Sequence, residues 1–305
     1  MSDVRLPSVD PAPQRSGAAV PRGRWRLLGR RLRRDRGAVV GAVGSVLLVV
    51  AAVFGPHVGG WGVRDIDPTA FLSGPSVRHP FGTTQVGRDV VALTLAGLGR
   101  SLAIGVVAAS LQTGLAAIVG AAAGLVGGRA ERVVLRGIDL LLIIPSLLIV
   151  ATLMSGFGAA GPSWLLVAVL IGLFGWMVTG RVVHALTLAL KQEDFVVAAR
   201  YLGQTRWRIV RGHLLPNLAS LLIVDWTLNV GYAILAETGL SFLGFGVQPP
   251  DVSLGRLIGD GARLATTQPW VFLPPSAVLV LAVLCLNAVG QGLRSALDPT
   301  GGGRS

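Results

Sequence analysis

The charges of this 305-residue chain are placed so unevenly that few folds remain open to it. No Asp, Glu, Lys or Arg occurs within residues 37–63, 101–128, 140–180 or 264–293. A helix needs about 20 mostly apolar residues to cross the hydrocarbon core of a bilayer. Each of these runs can hold one. As a single helix the run 140–180 would reach ~60 Å, about twice the hydrocarbon core. The segment Gly156-Phe157-Gly158-Ala159-Ala160-Gly161-Pro162 is therefore expected to split it in two. The chain reads as an all-α integral membrane protein with six transmembrane helices. They lie near residues 38–54, 102–126, on either side of that break, at 218–236 and at 272–292.

Only 14% of the residues are charged and 52% are hydrophobic, against about one quarter charged in soluble domains. The net charge of +12 has the sign for nucleic acid, but its placement argues against that partner. Ten of the 27 basic residues lie in the first 36 positions, directly before the first apolar run, where they act as an orientation signal at a lipid bilayer. That run outlasts a cleavable signal, so a retained first helix is expected. Residues 1–36 form a basic segment. It is expected to be partly disordered, with Pro7, Pro11 and Pro13 near its start. Residues 37–299 form the membrane domain and 300–305 a tail.

With the N-terminus inside, 21 of the 27 Arg and Lys fall on inside segments, 5 on outside segments, and Arg100 at a boundary. This bias puts both termini and residues 181–217 inside, and residues 55–100 and 237–271 outside. Gly37 and Gly41 are four apart, as are Gly120, Gly124 and Gly128, a spacing that lets helix backbones approach closely in lipid.

Several chemistries are excluded by residue type. A phosphate-binding P-loop needs Gly-Lys-Ser/Thr, and the one lysine, Lys191, follows Leu190. The chain cannot carry that ATP site. The single cysteine, Cys285, rules out a disulfide within the chain and a metal cluster of cysteines, and reads as a small core residue. His57, His79, His184 and His213 are scattered and read as interfacial polar residues. Asp225 falls inside the fifth span. There a charge must face another subunit or a water-filled path, unless it lies close to the cytoplasmic end. With Asn229 and Asn287 it is a candidate for the translocation path or a subunit interface, and Asn287 is expected to bond across helices. Glu237 and Gln248, at the outer end, are candidates for contact with an extracytoplasmic protein. For Glu237 a loop salt bridge is the commoner alternative.

The most informative segment is the loop 191–217. Phe195, Ala198, Ala199 and Leu202 follow i, i+3, i+4, i+7, one apolar stripe on a short helix. Glu193 and Asp194 suit its N-terminus, and Gly203 is placed to end it. A second short helix carries Trp207 and leads to Leu215-Pro216-Asn217. Such a helix rests on a lipid surface or docks into a groove on a soluble partner.

Ala198-Ala199, Gly203 and Leu215-Pro216 resemble the cytoplasmic "EAA" loop of ABC importer permeases. Val197 stands where that motif has its Glu, and His213 where it has an Ile. His213-Leu214-Leu215-Pro216-Asn217 is similar to the dipeptide/oligopeptide/nickel branch. So are His79-Pro80-Phe81-Gly82-Thr83, the segment Ala233 to Glu237 with Leu240 to Pro250, and Leu297-Asp298-Pro299. The departure at Leu254, where the family often has Trp, touches one loop contact. The resemblance implies the second, C-type, permease of a pair. Its partners would be a similar permease, two ATPase subunits that bind ATP and Mg, and an extracytoplasmic solute-binding protein. This chain itself would hold no cofactor. Phe195, Ala198, Ala199, Leu202, Gly203, Trp207, Leu215 and Pro216 would form the ATPase-coupling loop, and the solute would be a short peptide. An ion-coupled secondary transporter is the alternative, but that class shows charge relays and inverted repeats. A membrane-embedded enzyme would need a clustered nucleophile, base or metal set.

Overall fold

The computed structural model describes Leu32 and residues 35–58, 60–157 and 163–297. Of the break expected at 156–162, Gly156 and Phe157 still belong to a helix and 158–162 lie outside the described residues, as do the N-terminal basic segment before Leu32 and the C-terminal tail. The elements in chain order are α1 (Arg36–Val58), α2 (Val90–Val126), α3 (Gly128–Ile143), α4 (Ser146–Phe157), α5 (Ser163–Gly175), α6 (Met177–Leu190), α7 (Asp194–Tyr201), α8 (Arg206–Ile209), a π-helical turn (Val210–Leu214), α9 (Leu215–Phe242), α10 (Leu254–Ala262) and α11 (Pro269–Leu297). The described residues contain no strand, only an isolated bridge between Thr83 and Asp89.

Four stretches are long and apolar enough to cross a membrane: 36–56, 90–126, 206–242 and 269–297. Two bent pairs, α3 with α4 and α5 with α6, bring the number to six where each pair counts as one span. The six expected spans are thus present, but the third and fourth are broken within themselves. The α3–α4 pair bends by 78°. Pro145 lacks a donor, and the residue before a proline is pushed out of the helical region. Ile144 is accordingly extended, at φ −91° and ψ 125°. The α5–α6 pair bends by 41° at Trp176.

α2 starts twelve residues before the expected boundary, because Asp89 caps it by accepting from the Ala92 N–H at 2.8 Å. At 37 residues it is ~55 Å long, well beyond a hydrocarbon core, and it forms the axis of the molecule. α1, α5, α6, α9, α10 and α11 all pack on it. Small residues permit this. A Cβ on Gly120 would lie 2.5 Å from the Gly180 carbonyl, and one on Gly124 2.9 Å from the Thr187 side chain, so α2 and α6 are in backbone contact. Gly41 packs likewise on α11 beside Cys285 and Ala288. Gly37 and Gly128 do not belong to these seams. Gly37 meets only Asp35, and Gly128 has open space around it.

Two apolar clusters mark the ends. Leu98, Val230, Ile234, Leu254, Ile258 and Leu279 join α2, α9, α10 and α11 near the 60–89 loop. At the other end Ala121, Leu125, Val183, Ile209, Leu214 and Leu218 join α2, α6, α8 and α9. The π turn widens the ladder just ahead of Pro216, which has no N–H to give, so Trp207 and α9 belong to one continuous rod rather than to separate elements.

Candidate functional site

α7 is eight residues long, with Glu193 at its N-cap and Asp194 in its first turn. Its end is a Schellman turn. The Gly203 N–H donates to the Arg200 carbonyl at 2.9 Å and the Gln204 N–H to the Ala199 carbonyl at 3.1 Å. Gly203 has φ +71°, the left-handed conformation the sequence anticipated. A β-branched residue there costs roughly 1–2 kcal/mol. Gly203→Val should unravel the end of α7 and speed tryptic cleavage at Arg200 and Arg206 in detergent. An unchanged cleavage rate would show that the turn tolerates a side chain.

The four-residue stripe read from the sequence does not lie on one face. Ala199 is 3% exposed and packs with Val196 into the cluster of Leu125, Val183, Ile209 and Leu214. Phe195, Ala198 and Leu202 point the other way, and Leu202 is 79% exposed. The correction has a simple cause. Asp194-Phe195-Val196-Val197-Ala198-Ala199 is apolar on two sides, and Val196 with Ala199 fits the i, i+3 spacing as well as Phe195 with Ala198 does. Tyr201, 88% exposed, joins the outward face and was not singled out in the sequence, where it ends the apolar run as a polar-tipped residue. Trp207 is exposed as well. Leu215 is half-buried against the inner cluster, and Pro216 is exposed. His213 is half-buried, 6.2 Å from the Phe195 ring between centroids and 3.1 Å from Gln204 Oε1.

Asp225 is held within the chain. Thr113 Oγ1 of α2 donates to it at 2.9 Å, Thr179 Oγ1 of α6 at 2.8 Å and Asn229 Nδ2 one turn along α9 at 2.9 Å. A polar seam thus ties three helices together. Beside it opens a cleft of about 310 Å³ lined by Gln112, Ser146, Phe174, Gly175, Asn229 and Tyr232 together with apolar side chains. Asn287 is set apart from the seam. It faces Gly231, and among the described residues no hydrogen bond holds its side chain, contrary to the cross-helix bond expected.

Glu237 is also placed otherwise than expected. It is 0% exposed, so neither a loop salt bridge nor contact with an outside protein is open to it. Ser241 Oγ and Ser253 Oγ both donate to Oε1, at 2.6 and 2.7 Å. Ser253 in turn caps α10 by accepting from the Arg256 N–H. The carboxyl therefore fastens the 244–262 segment to α9. Gln248 is half-buried and receives Arg256 Nη1 at 3.3 Å. Arg100, read as a boundary residue, pairs with Asp251 at 3.0 Å and lies over the Trp164 ring at 4.9 Å.

The 60–89 segment is fastened in the same manner. His79 is not interfacial but 2% exposed, with Nδ1 at 2.9 Å from Asp89 and Nε2 at 3.4 Å from Asp67. Thr69, through its hydroxyl and its N–H, holds the Asp67 carboxyl below the ordinary aspartate value, with His79 adding less. His184 is also buried, 2.7 Å from Glu131 of α3. The side chain of His57 lies outside the described residues. No group of three or more His, Cys, Asp or Glu suited to a metal ion occurs among the described residues.

Residues 116–300 match the family described as binding-protein-dependent transport system inner membrane component. Residues 23–75 match the N-terminal TM domain of oligopeptide transport permease C. The chain is 47% identical over 273 residues to the oligopeptide transport system permease protein OppC of Mycobacterium tuberculosis, covering 90% of this chain and 94% of that one. It is 34% identical over 280 residues to the protein of the same name from Haemophilus influenzae, covering 91% and 89%. Neither the site nor these relatives support the ion-coupled alternative. The chain belongs to the binding-protein-dependent transport system inner membrane component family, as a C-type permease of the peptide branch of ABC importers.

Proposed function

We propose that this permease moves short peptides inward by alternating access, with residues 181–217 and both termini in the cytoplasm. In this reading the outward face of α7, formed by Phe195, Ala198, Tyr201 and Leu202, docks with the exposed Trp207 into an apolar groove of a partner ATPase. ATP and Mg are held by the ATPase subunits, of which this chain contains none. A second permease completes the path, and an extracytoplasmic binding protein delivers the solute.

One observation carries the reading. α7 has an exposed apolar face, while its other face, Val196 and Ala199, belongs to the cluster that unites α2, α6, α8 and α9. A push on the outer face is therefore delivered to the helices that carry Asp225 and its threonine donors. The ATPase states shift the permease only so far as their contacts with this face differ.

The test has two parts. In a Cys285→Ala background, a cysteine at position 204 should resist an impermeant thiol reagent in intact cells and react after permeabilisation. In proteoliposomes holding both permeases and both ATPases, a labelled tripeptide presented by the binding protein should accumulate only with ATP. Labelling of position 204 from outside, or failure to import any peptide, would overturn the reading.

A further inference from the structure

We infer that the cleft floored by Gln112 and Asn229 is a station on the solute path that engages the main-chain amides of the passing peptide. The inference rests on the peptide-import reading above. Asn229 is the midpoint of α9, fourteen residues past Leu215 and thirteen before Phe242. The cleft therefore lies at membrane depth. Its lining includes two carboxamides and the hydroxyls of Ser146 and Tyr232. Polar groups at that depth do not face acyl chains, because lipid offers them no hydrogen bonds. Gln112 and Asn229 each give one hydrogen bond within the chain, and the rest of their hydrogen-bonding capacity needs water or another protein, the former being what a path between two permeases provides.

The chemistry of the lining selects the ligand. None of the lining residues is ionised, and Asp225 below them already accepts three hydrogen bonds. A carboxamide offers both donors and an acceptor, the complement of a peptide unit. Such a lining reads main chain and ignores side-chain charge, which suits a path that passes peptides of varied sequence. At about 310 Å³ the cleft is at the low end of ligand sites, room for a short stretch of an extended chain.

The Gln112 amide is also deliberately accommodated. Nε2 donates to the Ile171 carbonyl at 3.3 Å, and a Cβ on Gly175 would overlap that nitrogen. Gly175 precedes the bend between α5 and α6, so the geometry of the bend and the pose of the amide are set together.

The experiment uses the whole complex in proteoliposomes with a labelled tripeptide at saturating binding protein. Gln112→Leu, Asn229→Leu and Gly175→Ala should each lower uptake, roughly 3- to 10-fold for each hydrogen bond lost to the solute. Recovery of the ATPase subunits with each variant should stay at the wild-type level, which shows that the variants fold and assemble. Because Asn229 also serves Asp225, a second measurement avoids the seam. Tyr232 is 62% exposed. A photoreactive benzoyl-phenylalanine at position 232 should cross-link the labelled peptide during ATP turnover. Wild-type uptake in all three variants, or cross-links from position 232 to the second permease or lipid alone, would overturn the inference and leave the import reading standing. Absence of peptide uptake by the wild-type complex would instead overturn both.

Discussion

Replacing Leu202 with Asp should cut recovery of the ATPase subunits with this chain at least tenfold and abolish peptide uptake, while the chain still inserts at its normal level. Leu202 is 79% exposed and makes no contribution to the buried cluster of its own chain, so the substitution is free of a folding cost. In a docked complex the new carboxylate would be enclosed in an apolar groove. Burial of an unpaired charge is among the most costly changes an interface can suffer. A companion variant separates docking from folding. Ala199 is 3% exposed against Val196 and the α2–α6–α9 cluster, so Ala199→Leu should overpack the chain itself, at about 1–3 kcal/mol. That variant should lower the amount of folded chain, with attached ATPase falling only in proportion. Normal ATPase recovery with Leu202→Asp would remove α7 as the docking surface. Equal loss of attachment per folded chain in both variants would mean that the two faces of α7 are not distinct in function.

Glu237→Ala should lower the thermal unfolding midpoint of the detergent-solubilised chain by several degrees, and Glu237→Gln by much less. The carboxyl is fully enclosed, and its Oε1 is the acceptor for both Ser241 and Ser253. Alanine would strand the buried Ser253 hydroxyl, at about 1–3 kcal/mol, remove the acceptor of the half-buried Ser241 as well, and leave a cavity. Gln keeps the acceptor that both serines use. Its amide would replace Oε2, which has no hydrogen-bond partner among the described residues. Gly255 is in close contact there, where a Cβ would approach Oε2 to 2.9 Å, so the space is shaped around the carboxyl. The loss should be local in origin, because Ser253 begins α10. Deuterium uptake in residues 244–262 should rise in Glu237→Ala and stay near wild type in Glu237→Gln. If the alanine variant unfolds at the wild-type temperature, Glu237 does not fasten this segment.

The division between what the chain's sequence determined and what its packing determined follows the range of the forces. Membrane class, the absence of a P-loop and the short helix α7 were legible because hydropathy and charge placement act locally along the chain. The Gly203 turn was legible for the same reason, since a left-handed residue after a short helix is a local demand. The bend at Pro145 could have been read from the proline alone, but the charge-free run obscured it. Other features depended on partners distant in sequence. Which side of α7 is buried was set by the fit of Val196 and Ala199 against α2, α6 and α9, because both faces of that helix are apolar. The roles of Asp225 and Glu237 were decided likewise. A charge in a span costs the same wherever its donors come from, and only the tertiary fold brings Thr113 and Thr179 to one carboxylate and Ser253 to the other.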